Sequence, residues 1–202
     1  MKKIYISFVF LLLLVLSVET TFGQEKPKSK YWELGVGYWG TLNHNYGAKV
    51  GVGRVIPFSE KYSLHSGLSI IVNTKSDIYM SAGVTIDNFF RRTGKWGGYW
   101  EHGIIVGYLG SIYDFDLYRT NSQGQINNVG KKWLSSAIFG YSFGIGYDFS
   151  KKTKTDFQLF FRPGLYFRFP NFENSFYINN YSIEAGVIWK PKFMAIKQQK
   201  PQ

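Results

Sequence analysis

The sequence holds a set of ionisable side chains that share one peculiarity of spacing. Glu33, Lys49, His65, Asp87, Glu101, Asp148, Arg162, Arg168 and Glu184 each stand in a run where apolar residues alternate with polar or small ones. Each of them falls on the polar parity of its run. Charges of both signs gathered on one enclosed face do one of two things: they neutralise one another as ion pairs, or they line a path for ions. Glu33, Lys49 and Glu184 are expected in one cross-strand network, with Arg162 next to Glu184; Glu101 and Arg168 complete the candidate set. The other chemistry on offer is thin. His44, His65 and His102 have no metal-ligand spacing and the chain has no cysteine, so neither a metal nor a cofactor is expected. His44 with Ser76 and Asp77 is the one arrangement with the composition of a hydrolase triad. Gly35-x-Gly37 and Gly144-x-Gly146 precede no helix, so they are read as packing glycines and not as a phosphate loop.

The spacing of these groups follows from the elements that carry them, and residues 155–169, TDFQLFFRPGLYFRF, show it most clearly. Phe157, Leu159, Phe161, Pro163, Leu165 and Phe167 share one parity. Gln158, Phe160, Arg162, Gly164, Tyr166 and Arg168 share the other. A period of two is that of a β-strand, here with one bulky apolar face and one face carrying two arginines. A sandwich in water would not turn the arginines inward and the phenylalanines outward. A barrel in lipid has that arrangement.

The same rhythm predicts eight strands, near residues 31–40, 46–56, 62–72, 78–86, 96–109, 133–149, 155–169 and 180–190. Ile78, Met80 and Val84 face outward in the fourth, and 91–95 is a basic turn after it. Two connections are long, 111–132 and 170–179; they are the expected contact surface, because loops of that length carry function. An even strand count puts both chain ends on one side. Aromatic residues, among them Tyr31, Trp32, Tyr62, Phe89, Phe90, Trp96 and Trp189 at one end and Tyr38, Tyr46, Tyr79, Trp133 and Tyr181 at the other, form two interfacial girdles. The fold class expected is all-β, an eight-stranded antiparallel transmembrane barrel.

Residues 1–23 read as a cleavable signal: Lys2 and Lys3 precede an apolar run from Phe8 to Leu16, too short to span a bilayer. Residues 24–30 are a polar lead-in, 31–190 the barrel and 191–202 a basic tail. Mean hydropathy is −0.16, which excludes a helical membrane protein. The composition, 19% aromatic with 22 glycines, suits girdles around a crowded interior. The formal net charge of +11 would attract nucleic acid in a cytoplasmic protein. In an exported one it meets anionic lipid phosphates instead, and no nucleic-acid role is expected.

With these features in place, the chain resembles the small outer-membrane β-barrel proteins of Gram-negative bacteria, the OmpA/OmpX-type and porin-like barrels. The stretches that carry the likeness are YSLHSGLSI (62–70), HGIIVGYLG (102–110), FGYSFGIGYDF (139–149) and YSIEAGVIW (181–189). The resemblance implies residence in the outer membrane, contact with its lipids and lipopolysaccharide, and insertion by the barrel assembly machinery. The likeness speaks for fold and location and little for activity; the role expected is a non-enzymatic structural or surface-interaction one, with the outer loops 111–132 and 170–179 as the contact surface and no extracellular partner identified. The alternatives are a lipid-modifying enzyme of the lipid A acyltransferase or deacylase type and a narrow solute pore. A tail after Trp189 and Phe193, in place of a terminal aromatic residue, departs from the pattern.

Overall fold

The computed structural model describes residues 30–42, 45–76, 78–114, 117–130, 133–153, 155–169 and 178–191. The signal, most of the lead-in and the tail beyond 191 lie outside them, as do His44, Asp77 and residues 170–177.

Ten strands form. They are β1 (Tyr31–Thr41), β2 (Tyr46–Pro57), β3 (Tyr62–Lys75), β4 (Tyr79–Thr93), β5 (Gly98–Tyr113), β6 (Leu117–Thr120), β7 (Ile126–Gly130), β8 (Trp133–Asp148), β9 (Phe157–Phe169) and β10 (Ile178–Trp189). Eight of them close into one antiparallel barrel in the order β1-β10-β9-β8-β5-β4-β3-β2, and β6 and β7 pair separately as a hairpin. The seam is closed by β1 on β10, with Leu34 opposite Trp189 and Thr41 opposite Ser182. Closure gives each of the eight barrel strands a partner on each side, the condition for crossing a bilayer without unpaired backbone groups.

Parity sorts the side chains as the sequence predicts. In β8, Ser136, Ile138, Gly140, Ser142 and Gly144 are buried while Ala137, Phe139, Tyr141, Phe143 and Ile145 are exposed. On the outside, Val36 is 56% and Ile70 58% accessible, and such residues ring the whole barrel. A continuous apolar belt of this kind has no place in water, and its match is the hydrocarbon of a membrane. The chain is an integral membrane barrel of the outer-membrane type.

At the end of the barrel that holds Tyr31 and Trp189, the terminal rim, the connections are short. One is a tight turn with Gly97 at φ 101°, a left-handed conformation suited to glycine. Another is the 3₁₀ turn Phe149–Lys151, capped by the Asp148 carboxylate, which accepts from Ser150 N at 3.1 Å. Aromatic rings pack around this rim in pairs: Tyr62 with Phe90 at 5.6 Å, Tyr147 with Phe149 at 5.0 Å and Phe157 with Trp189 at 6.5 Å. At the far rim Tyr38, Tyr46, Tyr108, Trp133 and Tyr181 are exposed.

The structure corrects several expectations. β4 starts at Tyr79, so Ile78 belongs to the preceding turn, and it runs on to Thr93, so Arg91 is a strand residue and not part of a basic turn. Phe89 and Tyr79 leave the girdles: Phe89 lies inside, 2% exposed, and Tyr79 accepts a bond from Asn45 Nδ2 at the mouth of the lumen. The connection at 111–132 is not all loop. β5 continues to Tyr113 with Ser111 fully buried, and the segment that projects folds back as the β6–β7 hairpin.

A charge on the apolar belt costs more the deeper it lies. Ile70→Arg, between Val50 and Val84 in the ladder, is expected to destabilise the barrel by about 2–4 kcal/mol, against about 0–1 for Tyr181→Arg at the far rim. Urea titration in lipid vesicles, followed by the gel shift of the unheated barrel, measures both.

Candidate functional site

The lumen of an eight-stranded barrel is just wide enough for its own side chains, and here most of its central section is charged. The glycines of the inward parity decide who reaches whom. Arg91 and Glu101 face each other directly across β4 and β5, and Arg162 and Glu184 across β9 and β10. Glu101 has Gly144 opposite it on β8. A Cβ at Gly144 would come within 2.8 Å of Arg162 Cγ and 3.0 Å of Glu101 Cγ. The missing side chain is what lets Arg162 of β9 pass over β8 to Glu101 of β5.

The result is a continuous chain of ion pairs and hydrogen bonds around the interior. Lys49 Nζ lies 2.9 Å from Asp87 Oδ2 and 3.3 Å from Glu184 Oε2. Glu184 Oε1 accepts from Arg162 Nη1 at 3.1 Å, and Arg162 Nε donates to Glu101 Oε1 at 2.6 Å. Glu101 Oε2 takes Arg91 Nε at 2.7 Å, and Arg91 Nη1 donates to Gln158 Oε1 at 2.6 Å. Gln158 in turn donates to Asp148 Oδ2 at 3.2 Å, which also pairs with Lys190. Ser69 Oγ donates to Asp87 at 2.7 Å. The guanidinium faces are used as well: Arg162 lies 4.2 Å from the rings of both Phe89 and Phe160, and Arg91 4.1 Å from that of Tyr99.

Six of the residues singled out by sequence, Lys49, Asp87, Glu101, Asp148, Arg162 and Glu184, thus sit in one chain. Glu33 stands apart from Lys49, because the β1–β2 register sets Lys49 opposite Gly37 and Glu33 opposite Gly53. Glu33 Oε1 instead meets His65 Nδ1 at 2.8 Å, and His65 Nε2 meets Ser63 Oγ at 2.9 Å. Arg168 lies nearer the far rim, where Nε donates to Ser136 Oγ at 2.9 Å and Nη2 to Ser111 Oγ at 2.6 Å. Sequence reasoning missed Arg91, 1% exposed, and gave Gln158, also 1% exposed, the inward parity without a part in the network. Arg91 was legible, since it continues the parity of Asp87 and Phe89. Of the triad composition, Ser76 donates to or accepts from Tyr46 Oη at 2.5 Å, while His44 and Asp77 lie outside the described residues.

The charges balance: Lys49, Arg91, Arg162, Arg168 and Lys190 stand against Glu33, Asp87, Glu101, Asp148 and Glu184. Toward the far rim the charged section is covered by a buried apolar layer of Trp39, Ile71, Leu109, Ile138 and Tyr166, with Trp39 and Tyr166 rings 5.3 Å apart. Toward the terminal rim Tyr99, Phe160 and Ile188 form a second cluster. The cavity between them, bordered by Glu33, Lys49, His65, Asp87, Arg162 and Glu184, is about 60 Å³. It has room for a few waters and for nothing larger. Among the described residues no cluster of histidine and acidic side chains has the makings of a metal site.

No family model and no curated protein matches the chain. Solved structures do. Neisserial surface protein A (NspA) aligns at 11% identity over 82% of this chain and 99% of its own, with a TM-score of 0.47. The β domain of the Bordetella autotransporter BrkA aligns at 12% over 79% and 69%, TM-score 0.41. The N-terminal β-barrel domain of Pseudomonas aeruginosa OprF aligns at 13% over 82% and 99%, TM-score 0.39.

Glu101 joins two buried arginines, so removing its charge takes the carboxylate from Arg91 and leaves Arg162 with Glu184 alone. Glu101→Gln is expected to cost about 3–5 kcal/mol of barrel stability in vesicles, whereas Glu60→Gln in an exposed turn stays within about 0.5 kcal/mol. Gly144→Val, which fills the space Arg162 uses, should behave like Glu101→Gln in the same urea titration.

Proposed function

We propose that this integral outer-membrane barrel is closed to solutes and acts at its far rim, as a non-enzymatic scaffold that presents a contact surface. The observation that carries this reading is the filled lumen: an apolar layer lies over a neutralised charge network, with about 60 Å³ of free space between. Ions and small solutes find no channel of their own size there, which counts against a pore. Without a route through the middle, the place left for a function is the surface. The β6–β7 hairpin supplies one. Asn121 Oδ1 organises its turn by accepting from Gln123 N at 3.0 Å and Gln125 N at 2.9 Å, with Gly124 at φ 79°. Its flanks hold Tyr118 and Ile126 at 64% and 72% exposure. An aromatic and an aliphatic side chain on a short, ordered hairpin are anchors of the kind that contact surfaces use. The leader at 1–23 belongs to the same reading, as the export signal that delivers the chain to the barrel assembly machinery.

The tests are direct. Purified barrel in planar bilayers is expected to give no stepwise conductance; steady channel events would overturn the closed-barrel reading. A photoreactive phenylalanine analogue in place of Tyr118 or Ile126, irradiated in intact cells, is expected to give one discrete adduct. The same analogue at Ile70, within the lipid belt, should give none. Absence of an adduct at both hairpin positions would remove the contact surface.

A further inference from the structure

The lipid-facing wall is indented at the terminal rim by a groove of about 830 Å³ that spans β4, β5, β8 and β9. A glycine seats one of its walls. The Trp96 ring packs onto Gly98, where a Cβ would fall 1.8 Å from ring carbon, and Trp96 leans against Tyr147 at 5.8 Å between ring centres. These rings make one wall, while Ile145, Leu159 and Phe161 continue the apolar surface toward the middle of the membrane.

The mouth of the groove is positive. Thr93 N donates to Lys61 O at 2.7 Å and Tyr62 pairs with Arg92, so Lys61 and Arg92 sit beside each other on neighbouring strand ends. Both line the groove, and no carboxylate does. Lys61 also borders the vestibule under the lumen, which Glu60, Lys190 and Asp148 line as well, while Arg92 lines only the groove. On the opposite flank Lys152 Nζ stands 6.0 Å from the Tyr147 ring.

An occupant of this groove must be apolar along its length, because the groove opens into hydrocarbon, and negative at its end. We propose that it is a binding site for one anionic phospholipid of the leaflet at the terminal rim. An acyl chain lies along Trp96 and Phe161, and the headgroup phosphate sits at Arg92 and Lys61. A guanidinium takes two phosphate oxygens at once and an ammonium adds a point charge. A glycerol headgroup keeps the net negative charge these cations select. An ethanolamine headgroup brings its own ammonium against them. The site is separate from the hairpin and needs only that the barrel is folded, which the gel shift of the unheated protein reports independently.

The experiment is native mass spectrometry of the full chain, released in mild detergent from vesicles of equal phosphatidylglycerol and phosphatidylethanolamine. The wild-type barrel is expected to retain one phosphatidylglycerol in preference. Lys61→Gln with Arg92→Gln should lower that retention roughly thirtyfold, with the gel shift intact, and Lys75→Gln at the far rim should leave it unchanged. Trp96→Ala, in a turn outside the strands, provides a second variant and should also lose the lipid. Equal retention of the two lipids by the wild type, or undiminished phosphatidylglycerol on the folded variants, would overturn the proposal.

Discussion

Burying a charge in a medium of low dielectric costs several kcal/mol unless an opposite charge and enough hydrogen bonds meet it there. The interior of this barrel is built around that constraint. Lys49, Glu184, Arg162, Glu101 and Arg91 are each within ion-pair distance of the next, and the sequence of pairs passes through β2, β10, β9, β5 and β4. Each charge depends on its neighbours, so no member is free to move alone. The glycines of the inward parity are the other half of the arrangement. Arg162 reaches Glu101 because Gly144 leaves the space between them.

The outside obeys the opposite rule. Val36, Ile70, Ile86 and Ile145 stay more than half exposed in a protein that packs its arginines to the centre. Only a hydrocarbon solvent reverses the usual sorting in this way, and only a closed ladder tolerates that solvent. The proline at 163 is accommodated within the same scheme. It has no N–H to give, and the β8–β9 pairing skips Phe143 and Gly144 where it would have been needed. The Pro163 carbonyl is used, taking Ser142 Oγ at 2.9 Å.

The sequence conveyed the fold well because a period of two is hard to mistake over thirteen residues such as Phe157–Phe169. It conveyed the members of the charged interior better than their pairing. Parity puts Glu33 and Lys49 on the same face, but only register sets the height of each, and register comes from turns and from closure. That is why Glu33 was expected beside Lys49 and lies beside His65. Arg91 was lost for a different reason: its neighbours Arg92, Thr93 and Gly94 have turn composition, which hid the last residues of a strand. The β6–β7 hairpin was invisible because Leu117–Thr120 and Ile126–Gly130 are too short and polar to show alternation.

The seam between β1 and β10 has a consequence for how the molecule is assembled. Glu184 is carried by the last strand, yet its partners Lys49 and Arg162 belong to β2 and β9, on either side of the gap that β10 fills. Without β10, Lys49 would keep Asp87 and Arg162 would keep Glu101, but the carboxylate that joins them would be missing and two edges would stand open. The final strand therefore supplies the backbone pairing and that joining carboxylate in the same step. The backbone ladder at the seam is eight residue pairs long, and the Lys49–Glu184 ion pair spans it from the inside, so closure is held by side chains as well as by the ladder.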